Sequence, residues 1–113
     1  MPLVVKKDNR REEFNREKIL EGIRIACRKR HFTATDLEDM VREVELKIQA
    51  LGVREIASRE IGDFVMATLH GRDKVAYIRF ASVYREFKDV EDFLTELKKE
   101  HFAPEAGLSP PVN

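Results

Sequence analysis

Apolar residues recur along most of this chain with the spacing of an amphipathic helix. The clearest stripe ends just before Gly52, and its members are three, four or seven positions apart: Leu37, Val41, Val44, Ile48 and Leu51. Thr35-Asp36-Leu37-Glu38 fits a capping box at the start of the stripe, and glycine is typical of the position after a helix. We therefore predict a helix that opens at Thr35 and stops at Gly52.

Two flanking segments predict helices by the same periodicity. Asn15 is a favourable cap for a helix over residues 16–30, and Ser58 is one for a helix that ends at His70-Gly71. In both segments apolar residues return after three or four positions and again after seven or eight. Each helix therefore has one apolar face for a shared core.

The C-terminal part of the chain predicts more helix and then a tail. Residues 74–87 form an aromatic helical pattern with Tyr77 and Tyr84 seven positions apart, and Asp89 can cap a last helix. Residues 101–113 hold three of the four prolines. We predict that this segment is flexible.

Short β-branched runs near the N-terminus predict a small sheet. Leu3–Lys6 is followed by Asp8-Asn9, which favours a turn, and the pattern resumes over Arg11–Phe14, so this region predicts a β-hairpin. Val53–Ile56 can add a third strand beside it. The fold class is therefore α+β: mostly an α-helical bundle of four to five helices, with a small three-stranded sheet at the N-terminal side.

Composition fits one soluble domain. The chain has 113 residues, of which 42% are hydrophobic and 37% charged, and neither a membrane-spanning apolar run nor a signal-peptide pattern is present. Cys27 is the single cysteine, which excludes an internal disulfide and a cysteine-based zinc cage. We expect a cytoplasmic protein that does not associate with membranes.

Charge is balanced over the whole chain but not along it. The 21 Lys and Arg equal the 21 Asp and Glu, which argues against a dedicated binder of long nucleic acids. Residues 1–31 nevertheless hold ten basic and five acidic side chains, and the remainder is correspondingly acidic. An anionic ligand is therefore expected at the N-terminal end.

The sequence has no pattern typical of a catalytic or metal site. His31, His70 and His101 are scattered, without a partner at ligand spacing, and Cys27 belongs to an apolar helix face. We expect no enzymatic activity. Several cations, Lys6 and Lys18 among them, lie near a predicted helix start and can form a triphosphate cradle, although such residues are more often only solvated. A helical module that serves dimerisation or another interaction remains an alternative.

Three segments together resemble the ATP-cone domain, and specifically that of the bacterial ribonucleotide reductase transcriptional repressor family. They are VVKKDNRREEFNREKI near the N-terminus, REIASREIG in the middle, and KVAYIRFASVYREF, which is the most distinctive of the three. The resemblance covers about residues 3–97. It assigns residues 1–100 to a nucleotide-binding regulatory domain.

The resemblance implies an allosteric sensor rather than a catalyst. The implied effectors are ATP and dATP, with any Mg²⁺ that accompanies the nucleotide, and the implied response is a nucleotide-dependent homo-oligomer that regulates transcription. An ATP-cone that regulates a ribonucleotide reductase itself is a second possibility.

The resemblance also implies a set of nucleotide-binding residues. Lys6, Lys7 and Lys18 are expected to hold phosphates, and Val5 to lie against the adenine through its backbone. Glu12 is expected to contact the nucleoside, and Asn15 to be a polar residue of the pocket at the helix start. Ser58 is expected to hydrogen-bond a phosphate or the base. Tyr84 is expected to pack beside the nucleotide, with Tyr77 as a further candidate.

The chain departs from the family pattern at three points. Asn9 replaces the usual turn glycine, which the hairpin should tolerate because Asn enters left-handed conformations. Lys7 stands where many members have Arg, so the charge is kept without the bidentate fork. Repressors of this family begin with a four-cysteine zinc ribbon that binds DNA, which this sequence lacks. We expect either a truncated repressor or a protein that regulates by another route.

Overall fold

The computed structural model describes residues 1–87 and has the predicted α+β architecture. Its elements are β1 (Leu3–Val5), β2 (Arg11–Glu12), α1 (Arg16–Ala26), α2 (Ala34–Leu51), β3 (Glu55–Ala57), α3 (Ser58–Arg72) and α4 (Lys74–Phe87). The predicted helix after Asp89 and the predicted tail at 101–113 lie outside the described residues.

The sheet has the order β2-β1-β3, with β1 antiparallel to β2 and parallel to β3. Asn9 forms the hairpin turn with a left-handed φ of 69°, and its N–H donates to the Lys6 carbonyl at 2.9 Å. Asparagine therefore does what the family glycine does. Strand β2 is shorter than predicted, because Phe14 packs against the core instead of continuing the ladder.

Helix α2 begins earlier than the sequence predicted. The capping box is formed by Thr33 and Asp36, whose side chains each accept a hydrogen bond from the other's backbone N–H, at 3.0 and 2.8 Å. The predicted box at Thr35 is therefore wrong. Thr33 has the better context, because Phe32 and Leu37 then occupy the positions of a hydrophobic staple and both pack against the core.

Helix α1 ends at Ala26, four residues before the predicted end. Cys27 is its C-cap, and the Cys27 backbone N–H donates to the Ile23 carbonyl at 2.9 Å. Lys29 then takes a left-handed φ of 62°. Arg79 of α4 donates to the carbonyls of Ala26 and Arg28, at 3.1 and 2.6 Å. A side chain distant in sequence thus satisfies carbonyls that a longer helix would have used.

The boundaries around α3 also differ from the predictions. Strand β3 lies two residues later than its predicted start, and Ala57 rather than Ser58 is the cap of α3. The Glu60 carboxylate accepts from the Ala57 N–H at 3.3 Å, so the helix start is closed by a carboxylate inside it. Ser58 is buried in the first turn, and α3 extends to Arg72.

The core lies between the inner face of the sheet and the four helices. Val4 and Ile56 cover it from the sheet, and the helices contribute the largest fully buried side chains, which include Phe80, Ile23, Met40, Ile48 and Leu69. Among residues 1–87, no helix combines the length and apolar character needed to cross a membrane.

Candidate functional site

A cleft opens where the hairpin meets the first turns of α1 and α3. Its lining combines an apolar floor with a polar and charged rim: Val4, Lys6, Glu12, Glu13, Phe14, Asn15, Lys18, Ile19, Ser58 and Ile61. The enclosed part has a volume of about 50 Å³. A ligand larger than a few atoms must therefore extend from the cleft into solvent or open it further.

Strand alternation and helix capping place the main lining residues. Val4 is the inward-facing residue of β1, and Lys6 follows the strand at the edge of the cleft. Asn15 caps α1 by accepting from the Glu17 N–H at 3.0 Å, and Lys18 lies one turn further on. The positive end of the α1 dipole therefore borders the cleft beside two lysines.

Glu12 organises the cations of the rim. Its carboxylate lies 3.1 Å from Nη1 of Arg10 and 3.8 Å from Nζ of Lys18. Arg10 also bonds Asp8, at 2.8 Å, and hydrogen bonds from the Arg10 backbone and side chain hold the Asp8 pKa below its usual range. Two cations are thus kept near the cleft by carboxylates of the hairpin.

The structure brings five of the nine predicted nucleotide-binding residues to this cleft. They are Lys6, Glu12, Asn15, Lys18 and Ser58. Val5 lies on the opposite side of β1 from Val4, and Lys7 lies in the hairpin turn; neither lines the cleft, nor do Tyr77 and Tyr84.

Tyr84 lies in the core behind the cleft wall. Its ring stacks on Phe80 with centroids 5.4 Å apart, and its hydroxyl donates to the Arg59 carbonyl at 2.5 Å. Arg59 lies between Ser58 and Ile61, which line the cleft, so Tyr84 supports this turn of α3 from inside. Tyr77 contacts the edge of His70, with ring centroids 4.8 Å apart.

Five lining residues were missed by sequence reasoning: Val4, Glu13, Phe14, Ile19 and Ile61. Most are apolar and carry the same periodic signal as core residues, so periodicity alone gave no reason to separate them from the core. Val4 had a usable signal, because alternation in a strand places neighbours such as Val4 and Val5 on opposite faces.

The described histidines and Cys27 form no second reactive centre. Within residues 1–87, no group of three or more His, Cys, Asp or Glu side chains is arranged to hold a metal ion. Burial, together with the nearby Asp73 charge, raises the pKa of the Cys27 thiol to about 11. Cys27 is therefore a protonated core residue at neutral pH.

Comparison with protein families identifies the domain. Residues 2–90 match the family described as "ATP cone domain", which is most of the chain. The chain belongs to the ATP cone family. The candidate cleft lies at the hairpin and first helix of this ATP cone, which contain VVKKDNRREEFNREKI, one of the three segments that carry the resemblance.

This ATP cone is similar to proteins named transcriptional repressor NrdR. It is 56% identical over 96 residues to the protein of Desulforapulum autotrophicum, covering 85% of this chain and 58% of the relative. Identity to the Myxococcus xanthus protein is 48%, covering 97% of this chain and 67% of the relative. Identity to the Latilactobacillus sakei protein is 53%, covering 86% of this chain and 62% of the relative. The chain thus spans about three fifths to two thirds of these curated relatives.

Proposed function

We propose that this ATP cone is a nucleotide-sensing regulatory domain that binds ATP and dATP in the cleft between the hairpin, α1 and α3. The observation that carries the proposal is the convergence of Lys6, Lys18, Asn15 and Ser58 at one cleft. Lys6 follows β1, and Asn15 and Lys18 lie at the start of α1, whereas Ser58 comes from α3, about forty positions later. Their meeting at the N-terminus of α1 is what a phosphate site requires.

The geometry suggests how the nucleotide is divided over the site. The apolar floor of Val4, Phe14 and Ile61 suits a base, and the lysine rim suits phosphates. Since the enclosed volume is only about 50 Å³, most of the phosphate chain has to lie along the open rim. Any Mg²⁺ that accompanies the nucleotide would stay with those exposed phosphates.

The other predicted contacts remain predictions. Lys7 is next to Lys6 and can reach an extended phosphate chain, and Val5 can contribute only its backbone. Tyr77 and Tyr84 lie outside the lining, so contact with the nucleotide would require α3 or α4 to move.

We propose binding without hydrolysis. The residues that line the cleft include neither His nor Cys, and Glu12 is already engaged by Arg10 and Lys18. Ser58 is the lining hydroxyl, and we assign it to hydrogen bonding with the phosphate or the base. Binding energy is then available for a conformational or assembly response.

The full regulator is proposed to resemble its relatives. A nucleotide-dependent homo-oligomer would pass the signal on, and the protein would work in the cytoplasm as part of a repressor of ribonucleotide reductase genes. DNA would be read through a zinc ribbon of the kind found in the family. The named relatives favour this role over that of a cone within a reductase.

Calorimetry with ATP and with dATP tests the binding site. We expect micromolar to low-millimolar affinity for the wild-type chain and loss of binding in Lys6→Ala and Lys18→Ala. At about ten times Kd, the ligand should add about 1.4 kcal/mol to the free energy of unfolding, a clear rise in Tm. Lys47→Ala on α2, outside the cleft, is the matched control and should bind normally.

Two results would contradict the proposal. Absence of both heat and a Tm shift with either nucleotide would remove the sensor function. Unchanged affinity in both lysine variants would place the site elsewhere. Size-exclusion chromatography with light scattering then separates the sensor from a plain dimerisation module, whose oligomeric state would be the same with ATP, with dATP and without nucleotide.

A further inference from the structure

The positive charge of the N-terminal segment is concentrated away from the cleft. Residues 1–23 hold six basic and five acidic side chains, whereas residues 24–31 hold four basic side chains and no acidic one. The cleft lies at the N-terminus of α1, whereas residues 24–31 begin in its last turn, and the eleven residues of the helix span about 16 Å. The excess that predicted an anion site therefore lies at the C-terminal end of α1, opposite the cleft.

Hydrogen bonding to the last carbonyls of α1 does not account for these cations. Arg79 already binds the carbonyls of Ala26 and Arg28, and these are the groups that basic residues in a last turn usually serve. Arg30 is occupied as well, because its guanidinium pairs with Asp73 at 2.6 and 3.2 Å. That pair also neutralises Asp73, which lies between α3 and α4 at this end.

Four cations remain on this surface, which we call the α1 end patch: Arg24, Arg28, Lys29 and Lys74. All four side chains are exposed, and none makes an ion pair with another residue in the part of the chain that the structure describes. Lys74 joins the patch because it follows Asp73, the partner of Arg30. Exposed cations that form no ion pair create a local positive potential even in a neutral protein.

We propose that the α1 end patch binds the sugar-phosphate backbone of a nucleic acid duplex without reading its sequence. A duplex presents one negative charge per about 1.7 Å of its axis, so a patch of four cations can meet several phosphates at once. The four patch residues are arginines and lysines, which bind phosphates at any sequence, and none is an aromatic anchor typical of protein interfaces. The chain would orient with this end towards the duplex.

This patch is separate from the nucleotide cleft, so the inference does not depend on the proposed function. Within a larger regulator, it would add sequence-independent affinity to any element that recognises a specific site. Such affinity is weak and strongly dependent on salt. The neutral total charge therefore limits it to low ionic strength for this chain alone.

Fluorescence anisotropy with a labelled 20-base-pair DNA duplex of arbitrary sequence tests the proposal. For about three phosphates neutralised, affinity should fall about 40-fold between 50 and 200 mM salt. The double variant Arg28→Glu/Lys29→Glu should lose binding at 50 mM salt. Arg42→Glu/Arg54→Glu changes the net charge equally at exposed sites outside the patch and should bind within about threefold of wild type.

Further measurements make the outcome decisive. Lys74→Glu reverses the charge of the patch residue on α4 and should also weaken DNA binding. This variant tests the patch even if Arg28→Glu/Lys29→Glu fails to fold. Lys6→Ala should keep its affinity for DNA, whereas Arg28→Glu/Lys29→Glu should keep any ATP-induced Tm shift. Failure of either proposal can thus be told from failure of the other.

Three results would overturn the inference. They are no binding of the duplex at 50 mM salt, equal loss in the patch and control double variants, and tighter binding of polyglutamate than of DNA at equal charge. The last result would instead identify the patch as a surface for an acidic protein.

Discussion

Gly62 of α3 lies directly against the ring of Tyr84 of α4, so closely that a Cβ on Gly62 would overlap the ring and its hydroxyl. The contact lets the tyrosine hydroxyl reach the Arg59 carbonyl, one turn earlier on α3. The two helices therefore pack closely next to Ser58 and Ile61, which form one wall of the cleft.

Gly62→Ala should destabilise the domain although alanine is the better helix former. The ring of Tyr84 is buried and stacked on Phe80, so it has no open space into which it can move. Overpacking of this kind costs about 1–3 kcal/mol. Urea unfolding measures the change, and Gly71→Ala is the control, because a Cβ there meets nothing within 4 Å. Equal effects of the two substitutions would show that the contact with Tyr84 is not the cause.

Tyr84→Phe separates support of the wall from direct contact with the nucleotide. It removes the hydrogen bond to Arg59 and leaves the ring in place, so we expect a loss of about 1 kcal/mol in the free energy of unfolding. The Kd for ATP should be unchanged once the protein is folded. A markedly weaker Kd at unchanged stability would instead show that the hydroxyl touches the nucleotide.

Arg79→Met should destabilise the end of α1. The substitution keeps much of the apolar stem and removes the donor that binds the carbonyls of Ala26 and Arg28. Loss of hydrogen bonds from a charged group costs about 1.5–3 kcal/mol. Thermal unfolding by circular dichroism measures it, and a Tm equal to that of wild type would contradict the capping role.

Asp73→Asn should lower stability at neutral pH but not in acid. The Arg30 guanidinium holds the Asp73 pKa below its usual range, so the charged form is favoured by folding. Its contribution is full above the unfolded pKa of about 3.9 and is lost as the pH falls through the lower folded pKa. The asparagine side-chain oxygen can still accept the hydrogen bond from the Val75 N–H, so the substitution removes the charge of residue 73 without removing this cap.

Denaturant unfolding at pH 7 and at successively lower pH values follows this effect. The difference between wild type and Asp73→Asn should shrink across the acidic range. A difference that is independent of pH would show that shape or hydrogen bonding, rather than charge, makes aspartate preferable.

The Cys27 thiol should be unreactive in the native domain. With a pKa of about 11 and a buried side chain, it has almost no accessible thiolate at pH 7.5. A chromogenic disulfide reagent should therefore label it slowly before unfolding and completely in urea. Rapid labelling of the native protein would mean that the end of α1 opens readily.

The sequence predicted those features that depend on neighbouring residues. Residues 74–87 form α4 with the predicted bounds, and Asn9 replaces glycine in the turn as expected. Both outcomes follow from local periodicity and backbone preference.

Features decided by distant residues were predicted less well. The early end of α1 depends on Arg79, which lies more than fifty positions later, and no local pattern reveals that contact. The choice between Thr33 and Thr35 as the cap of α2 depended on packing of Phe32. Tyr84 carries a motif signal suited to a ligand contact and a periodicity suited to the core, and only the tertiary structure places its side chain.

The carboxylate of Glu12 gives the cleft a built-in competitor. A phosphate that enters must displace this carboxylate from Lys18, exchanging one anion for another, so the net electrostatic gain is smaller than for an unpaired lysine. Moderate affinity suits a sensor better than tight affinity does, because a site that is saturated at every nucleotide concentration cannot respond to a change in concentration. The Glu12–Lys18 pair would thus set the concentration range over which occupancy of the domain follows the nucleotide pool.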